Sequence, residues 1–320
     1  MDNALIQSVH RQIQAARRIL VVSHIRPDGD AVGSLLAMGL ALQAIGKDMQ
    51  MVLADGVPKN FRRLKGSDKV LNQPQGDFDF ISVVDCSDLE RAGSALNGYS
   101  APDLNIDHHP TNLNFARINL VESNAVATAE MLFDYLPQFG LPITIPVAEA
   151  LLTGLITDTI GFRTVNMTPK ALRVAADLME TGVDLPTLYQ KALLSRSLNA
   201  VRYWGTGLSK INADRRMVWT TLSIADRQKI GYPGRDDADL INVLSTIEDT
   251  DIVLIFIEQA NERVKVSWRS KPGLDVSQIA VNFGGGGHKT AAGAEIEGSL
   301  EDVESKVIQA TKSLITKNIS

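Results

Sequence analysis

Apolar runs alternate with amphipathic stretches along the first half of the chain. Near-continuous apolar runs that end in polar residues, as buried strands do, occur at 18–24, 49–55, 78–88 and 104–109. Apolar residues recur at helical spacing in 30–46, 124–139, 147–158 and 169–181. Apolar strands separated by helices are typical of a parallel sheet covered by helices on both faces. The first half is therefore predicted to be a parallel α/β domain.

The second half has a different pattern. Strands are predicted at 216–223, 251–259 and 262–270, with a helix over 236–249 between the first two. The short connection after 259 predicts a hairpin. In its second strand, apolar residues alternate with polar ones, which predicts one buried face (Val264, Val266, Trp268) and one polar face (Arg263, Lys265, Ser267, Arg269). We predict a first domain over 1–186, a helical linker over 187–205 and a smaller α/β domain over 206–320.

Composition limits the classes of function. The chain has 320 residues, and its only cysteine, Cys86, excludes a disulfide framework and favours a reducing, cytoplasmic setting. No apolar run approaches the ~20 residues needed to span a bilayer, so no membrane contact is expected. The net charge is −5 and the pI is about 5.6, with no basic stripe. Long nucleic acid is therefore not an expected partner, and a nucleic-acid substrate should be short.

Carboxylates and imidazoles follow the predicted strands of the first domain. Because the carboxyl ends of parallel strands meet at one edge of a sheet, these side chains should converge there. An apolar helix ending near residue 158 adds a further aspartate. The set comprises His24, Asp28, Asp30, Asp85, Asp107, His108, His109 and Asp158.

Each of these residues has an ordinary structural explanation when it is taken alone. The sequence "PDGD" is a common turn, an aspartate after a strand is often a cap, and adjacent histidines can lie on the surface. Their convergence at one sheet edge favours a metal site instead. Mixed carboxylates and imidazoles suit Mn²⁺, with Mg²⁺ or Fe²⁺ as competitors, whereas structural zinc would require several cysteines. Asp85, on a central strand, is the expected bridge between two ions.

These residues resemble the four motifs of the DHH phosphoesterase family. The resemblance implies two divalent ions, most often Mn²⁺, one held by His24, Asp28 and Asp85. The other would be held by Asp30, Asp85, His108 and Asp158. It further implies that Asp107 supports the cluster, that Asp85 takes part in catalysis as the ligand shared by both ions, and that His109 contacts the substrate phosphate or aids proton transfer.

A glycine-rich segment, "VNFGGGGHKTAAGA" at 281–294, lies in the second domain. Successive backbone N–H groups without side chains can bind a phosphate, although glycine runs also form simple turns. The segment is similar to the DHH-associated domain, whose GGGH loop and a preceding Arg-Ser pair hold substrate. The residues implied are Arg269, Ser270, Gly285, Gly286, Gly287 and His288.

The resemblance covers nearly the whole chain and is nearest to the oligoribonuclease and bisphosphonucleoside phosphatase branch. It implies hydrolysis of very short RNA to mononucleotides and removal of the 3′-phosphate of 3′,5′-bisphosphoadenosine. Short RNA oligonucleotides and nucleotides are the implied partners, and a homodimer is an assembly that the family allows. Three alternatives stay open: a phosphodiesterase for cyclic dinucleotides or pApA, a manganese inorganic pyrophosphatase, and a nucleotide-binding regulator without turnover. The pyrophosphatases lack the GGGH loop.

Overall fold

The computed structural model describes residues 3–318, with side chains to residue 314. The chain divides between Ser195 and Arg196 into two compact units. None of the helices within 3–318 is long and apolar enough to cross a membrane.

Unit 1 contains the predicted parallel sheet. Its five strands have the order β2-β1-β3-β4-β5, and all four neighbouring pairs are parallel. The fifth strand was not predicted, because it is a short edge strand with one buried residue, Leu120, and so has no continuous apolar run. The strands are β1 (Arg18–Val22), β2 (Asp48–Val52), β3 (Phe80–Val84), β4 (Leu104–Asp107) and β5 (Ile118–Val121).

Helices cover both faces of this sheet, as predicted. One face packs against the main apolar core, to which the α-helices contribute, and the other packs on the 3₁₀ segment Glu90–Leu96. The central helix pair approaches closely at Gly33, where an added Cβ would lie 2.5 Å from the carbonyl oxygen of Ala150. The α-helices are α1 (Asn3–Ala15), α2 (Gly29–Ala44), α3 (Thr128–Gln138), α4 (Ile145–Asp158), α5 (Pro169–Glu180) and α6 (Leu185–Tyr189).

Unit 2 is a six-stranded mixed sheet with the order β10-β11-β9-β8-β7-β6, in which the β7–β8 pair is parallel. The predicted alternation in β9 is confirmed, since Val264, Val266 and Trp268 are all buried. The strands are β6 (Asn212–Asp214), β7 (Met217–Leu222), β8 (Ile252–Gln259), β9 (Arg263–Ser270), β10 (Gly286–His288) and β11 (Ala291–Glu297). The helices are α7 (Leu198–Leu208), α8 (Ile224–Ile230), α9 (Leu240–Leu244), α10 (Ser277–Asn282) and α11 (Leu300–Asn318).

The helix predicted over 236–249 is wrong for most of its length, because α9 includes five residues. Ala238 and Asp239 adopt left-handed backbone conformations, with φ of 52° and 66°, so a helix cannot begin before them. The side chain of Asp237 then accepts a hydrogen bond from the backbone N–H of Ile241 at 2.9 Å. The aspartates of this segment therefore form the turn that starts the helix.

Candidate metal centre

His24 lies in the loop after β1, and its side chain is buried. Its Nδ1 is 2.8 Å from the carbonyl oxygen of Ile25, so Nδ1 is the ring nitrogen that donates. The lone pair is then on Nε2, which is buried without a hydrogen-bond partner. Nε2 lies 3.6 Å from Asp85 Oδ2 and 3.8 Å from Asp28 Oδ1, which is longer than a hydrogen bond. A buried imidazole nitrogen whose opposite nitrogen is fixed by a carbonyl is the usual arrangement of a histidine metal ligand.

Asp30 lies in the first turn of α2 and is held by the first turn of α3. Its carboxylate accepts hydrogen bonds from the backbone N–H groups of Thr128, at 2.6 Å, and Ala129, at 3.0 Å. Gly154 in α4 makes room for it, because a Cβ there would lie 2.6 Å from Asp30 Oδ1. Burial and the neighbouring Asp85 and Asp158 carboxylates raise the pKa of Asp30 well above its usual value. The carboxylate is therefore fixed in position, but the protein places too little positive charge near it to balance its negative charge.

Asp85 follows the central strand β3 in a left-handed conformation, with φ of 54°. This conformation is uncommon for residues other than glycine, asparagine and aspartate, and here the surrounding structure holds it. The residue is fixed by its N–H, which donates to the Ile106 carbonyl at 2.8 Å, and by Thr128 Oγ1, which donates to Oδ1 at 2.9 Å. Burial opposes ionisation of Asp85, but the neighbouring histidines outweigh burial and hold its pKa well below the usual range.

The pair of histidines after β4 divides into two environments. His108 directs Nε2 toward two carboxylates, at 3.8 Å from Asp85 Oδ1 and 3.7 Å from Asp158 Oδ2. His109 has its Nδ1 2.7 Å from Oδ1 of the fully buried Asp107. Burial lowers the pKa of His109, but the Asp107 hydrogen bond and the Asp85 charge outweigh it and raise that pKa to about 9.

The predicted residues thus meet at one edge of the sheet, where they form three overlapping groups. Within each group, the ligand atoms lie within 4.8 Å of one another. Asp85 belongs to two of these groups, and so does His108. Burial together with the Asp28 and Asp85 charges raises the pKa of Asp158 to about 7, against the effect of His108. The groups are His24, Asp28 and Asp85; Asp85, His108 and His109; and Asp30, His108 and Asp158. Unneutralised carboxylates and an unpartnered buried imidazole nitrogen fit a site for divalent cations.

Two residues outside the predicted set position these side chains. Thr128 contacts both Asp30 and Asp85, as described above. Asn112 donates from Nδ2 to Asp107 Oδ2 at 2.7 Å, and so fixes the carboxylate that contacts His109. Asn112 lies five residues after Asp107, within the same "DHHPTN" stretch, and that proximity was an available signal. The sequence around Thr128 gave no such signal, because the role of this residue depends on how the start of α3 packs against α2.

In unit 2, Arg269 and His288 lie in one row of the sheet, since Ala291 of β11 pairs with Arg269 on one side and with His288 on the other. Arg269 Nη1 donates to the carbonyl of Trp268 at 3.0 Å, while its Nε is buried without a partner. Burial lowers the pKa of Arg269, and the charges of Asp237 and Asp239 oppose that effect. A partly buried guanidinium with an unused donor is suited to binding an anion.

The other unit 2 residues predicted to bind substrate adjoin this row. Ser270 Oγ donates to the carbonyl of Leu274 at 2.9 Å, so binding a phosphate would require this hydroxyl to turn. A Cβ at Gly285 or Gly287 would lie 2.1 Å and 2.5 Å from the carbonyl oxygens of β11, whereas a Cβ at Gly286 would meet open space. The segment expected as a loop thus forms strand β10 over Gly286–His288, where the glycines allow close packing on β11 and leave one side accessible at Gly286.

Comparisons with known proteins agree with this arrangement. The model of the DHH family, N-terminal domain, matches residues 18–155, and that of the DHHA1 domain matches 225–317. The bifunctional oligoribonuclease and PAP phosphatase NrnA of Thermus thermophilus is 34% identical over 306 residues, covering 93% of this chain and 90% of that protein. The protein of the same name from Bacillus subtilis is 26% identical over 89% of this chain and 91% of its own length.

Among solved structures, an exopolyphosphatase-related protein from Bacteroides fragilis is similar in fold. It superposes with a TM-score of 0.88 at 24% identity, covering 99% of this chain and 96% of that one. The two units therefore occur together in a known fold.

Proposed function

The chain belongs to the DHH family and carries a DHHA1 domain, and we propose from this that it hydrolyses phosphate esters of very short RNA and of 3′,5′-bisphosphoadenosine. RNA oligonucleotides would yield mononucleotides, and bisphosphoadenosine would lose its 3′-phosphate. The observation that carries the proposal is the buried cluster of aspartates and histidines around Asp85. The relatives named for these two activities match nearly the whole chain, which supports the choice of substrate.

Two divalent cations are part of the proposal, with Mn²⁺ as the preferred ion and Mg²⁺ as its competitor. When bound, such ions polarise the phosphate oxygens and lower the pKa of a coordinated water molecule. Asp85 would be shared by both ions. One ion would be held by His24, Asp28 and Asp85, which form one of the groups described above. The other would be held by Asp30, His108 and Asp158, which form another group, together with Asp85, which is grouped with His108.

His109 is proposed to handle the substrate phosphate or its proton. Because Nδ1 is hydrogen-bonded to Asp107, Nε2 is the atom with which the imidazole would act. Asp107 is fully buried and is itself fixed by Asn112, so it keeps the ring in one orientation. The raised pKa of His109, about 9 through Asp107 and Asp85 despite burial, favours the protonated form, which can donate to a phosphate oxygen or a leaving group.

Unit 2 is proposed to bind a second part of the substrate. The unused Nε of Arg269, the accessible side of the loop at Gly286, and His288 in the same strand row can together contact a terminal phosphate. Ser270, Gly285 and Gly287 would shape this site. The loop also favours a nucleotide substrate over pyrophosphate, because the resemblance implies that pyrophosphatases lack it.

Assembly and location complete the proposal. We propose a cytoplasmic enzyme, since the one cysteine, Cys86, is buried and unpaired, and a homodimer of the kind that the family allows. Light scattering of the purified protein tests the dimer.

A substrate panel tests the function directly. The purified protein with Mn²⁺ should convert pApA, RNAs of two to five nucleotides and bisphosphoadenosine into products separable by chromatography. Cyclic dinucleotides and pyrophosphate complete the panel, and chelation followed by Mn²⁺ addition controls for metal dependence. Turnover confined to cyclic dinucleotides or pyrophosphate would contradict the proposal, and metal-dependent binding without any turnover would identify a regulator instead.

A further inference from the structure

Arg91 is a positively charged residue beside the metal centre, and it belongs to none of the residue sets described above. It lies in the segment that leaves β3 after Asp85, and its Nη1 is 3.4 Å from Ser87 Oγ. The loop that begins at Asp85 therefore also carries a guanidinium, which lies next to Ser87.

The backbone of Arg91 is fixed relative to the ligand loops. Its N–H donates to Asp88 Oδ1 at 2.9 Å, and its carbonyl accepts from the N–H of Ile25 at 2.7 Å. Ile25 directly follows His24, so one hydrogen bond joins the Arg91 segment to the loop of a proposed ligand. Gly93 packs against the same isoleucine, where a Cβ would lie 2.4 Å from Ile25 Cγ2. The side chain of Arg91 thus starts from a point set by both the β1 and the β3 loops.

The guanidinium has no carboxylate partner among the side chains that the structure describes. The aspartates of the centre are paired with histidines instead, and none of those ion pairs includes Arg91. An arginine kept only to balance acidic charge would be expected to contact a carboxylate. Its planar set of donors remains available for an anion that enters the site.

We propose that Arg91 binds the phosphate group that is hydrolysed, donating to one of its non-bridging oxygens. The inference rests on the proposed function. Five aspartates lie around the place where this phosphate must bind, and the two divalent cations proposed there would offset most, but not all, of their negative charge. Arg91 supplies a compensating charge from the protein, and it does so from a backbone tied to the loops of His24 and Asp85. A guanidinium placed in this way stabilises charge that accumulates on the phosphate oxygens during the reaction.

The test compares Arg91→Gln and Arg91→Lys with wild type on two substrates, pApA and bis(p-nitrophenyl) phosphate, with Mn²⁺ present. Because the hydrolysed phosphate is common to both, Arg91→Gln should lower kcat/KM on each by about 10- to 100-fold, the range for one lost charge-assisted contact. Arg91→Lys should recover part of the loss. AMP carries this phosphate as a product, so its equilibrium affinity should fall in parallel. Arg11→Gln, an exposed arginine of α1, is the matched control and should leave all values unchanged.

Metal content and the melting temperature distinguish a contact with the phosphate from a structural role of Arg91. The inference predicts that both stay at wild-type values in Arg91→Gln. Unchanged kcat/KM on both substrates would overturn it, and so would a loss confined to pApA, which would place the contact on a distant phosphate. Loss of bound metal or of the fold, reproduced by Arg91→Lys, would show a structural role and overturn it too. A wild-type protein inactive on both substrates would instead refute the proposed function, and this inference with it.

Discussion

The metal centre of unit 1 and the glycine-loop region of unit 2 are built in opposite ways. In unit 1, the proposed ligands are mostly buried ionisable side chains, and hydrogen bonds from the protein fix Asp30, Asp85 and Asp107. In unit 2, the β10 residues Gly286 and His288 are exposed, and binding would use backbone N–H groups and a single half-buried arginine. Rigid, charged positions suit a chemical step, whereas an accessible loop suits recognition of a substrate end. Each region can therefore be disabled separately.

The largest effect is expected at the carboxylate that both ions would share. Asp85→Asn removes a negative charge from two metal-ligand groups at once, while its amide can still accept from Thr128 Oγ1. We expect kcat to fall by roughly 10³-fold or more with every substrate. Steady-state kinetics, together with metal analysis and circular dichroism, measure this. Near wild-type rates with normal metal content would contradict the shared position of Asp85.

A smaller and selective effect is expected in unit 2. Arg269→Ala removes the guanidinium with the unused Nε, and we expect kcat/KM for pApA to fall by about 10- to 100-fold. Bis(p-nitrophenyl) phosphate carries no terminal phosphate for unit 2 to bind, so its hydrolysis should remain nearly normal. His288→Ala should follow the same pattern. Equal losses on both substrates would show that these residues serve the fold or the chemical step instead.

The convergence of the metal-ligand candidates was predictable, whereas their supports were not. Any side chain that follows β1, β3 or β4 must reach the same sheet edge, so His24, Asp85 and His108 could be placed together from the strand pattern alone. The hydrogen bond from the Thr128 N–H to Asp30 joins residues 98 apart in sequence. It depends on how α2, α3 and α4 pack, which no local pattern encodes.

Unit 2 was harder to predict for a related reason. Strands β10 and β11 consist largely of glycine and alanine, so they lack the alternation by which β9 was found. The two strands can pair because glycine at 285 and 287 has no side chain to clash with β11. A pattern of hydrophobic residues cannot predict such a pairing. Arg91 was missed because a single arginine in a polar segment has no pattern, and its importance rests on the contact with Ile25.

Substrate length offers a further comparison of the two regions. If unit 2 supplies one phosphate contact site, the binding free energy should stop increasing after a few nucleotides. We expect the highest kcat/KM for RNAs of about two to five nucleotides, and a decrease of about 10-fold for longer strands, equal to one lost contact of ~1.5 kcal/mol. The measurement is kcat/KM for RNAs of two to about twenty nucleotides at fixed salt. A value that stays level or rises with length would require an extended binding surface.

The last expected effect is on stability rather than on catalysis, and it should be confined to unit 1. Burial and the Asp28 and Asp85 charges raise the pKa of Asp158 to about 7 without metal, so this group stabilises the fold when protonated. That contribution is complete below the ordinary aspartate pKa and is lost as the pH rises through 7. The raised pKa of His109, about 9, acts in the same direction, because its contribution is complete below 6.5 and lost as the pH passes 9. The metal-free protein should therefore be less stable at pH 8 than at pH 6.

Metal ions should replace these protons, so their stabilising effect should grow with pH. At a concentration about 100 times the dissociation constant, a bound ion adds about 2.7 kcal/mol. For a unit of this size that corresponds to a rise in Tm of about 5–10 °C. We expect this rise at pH 8 and a clearly smaller one at pH 6, measured by thermal unfolding of chelated and Mn²⁺-loaded protein. Asp158→Asn should reduce the pH dependence, whereas Arg269→Ala should preserve it. An equal gain at both pH values would show that protons and metal do not compete for the carboxylates around Asp85.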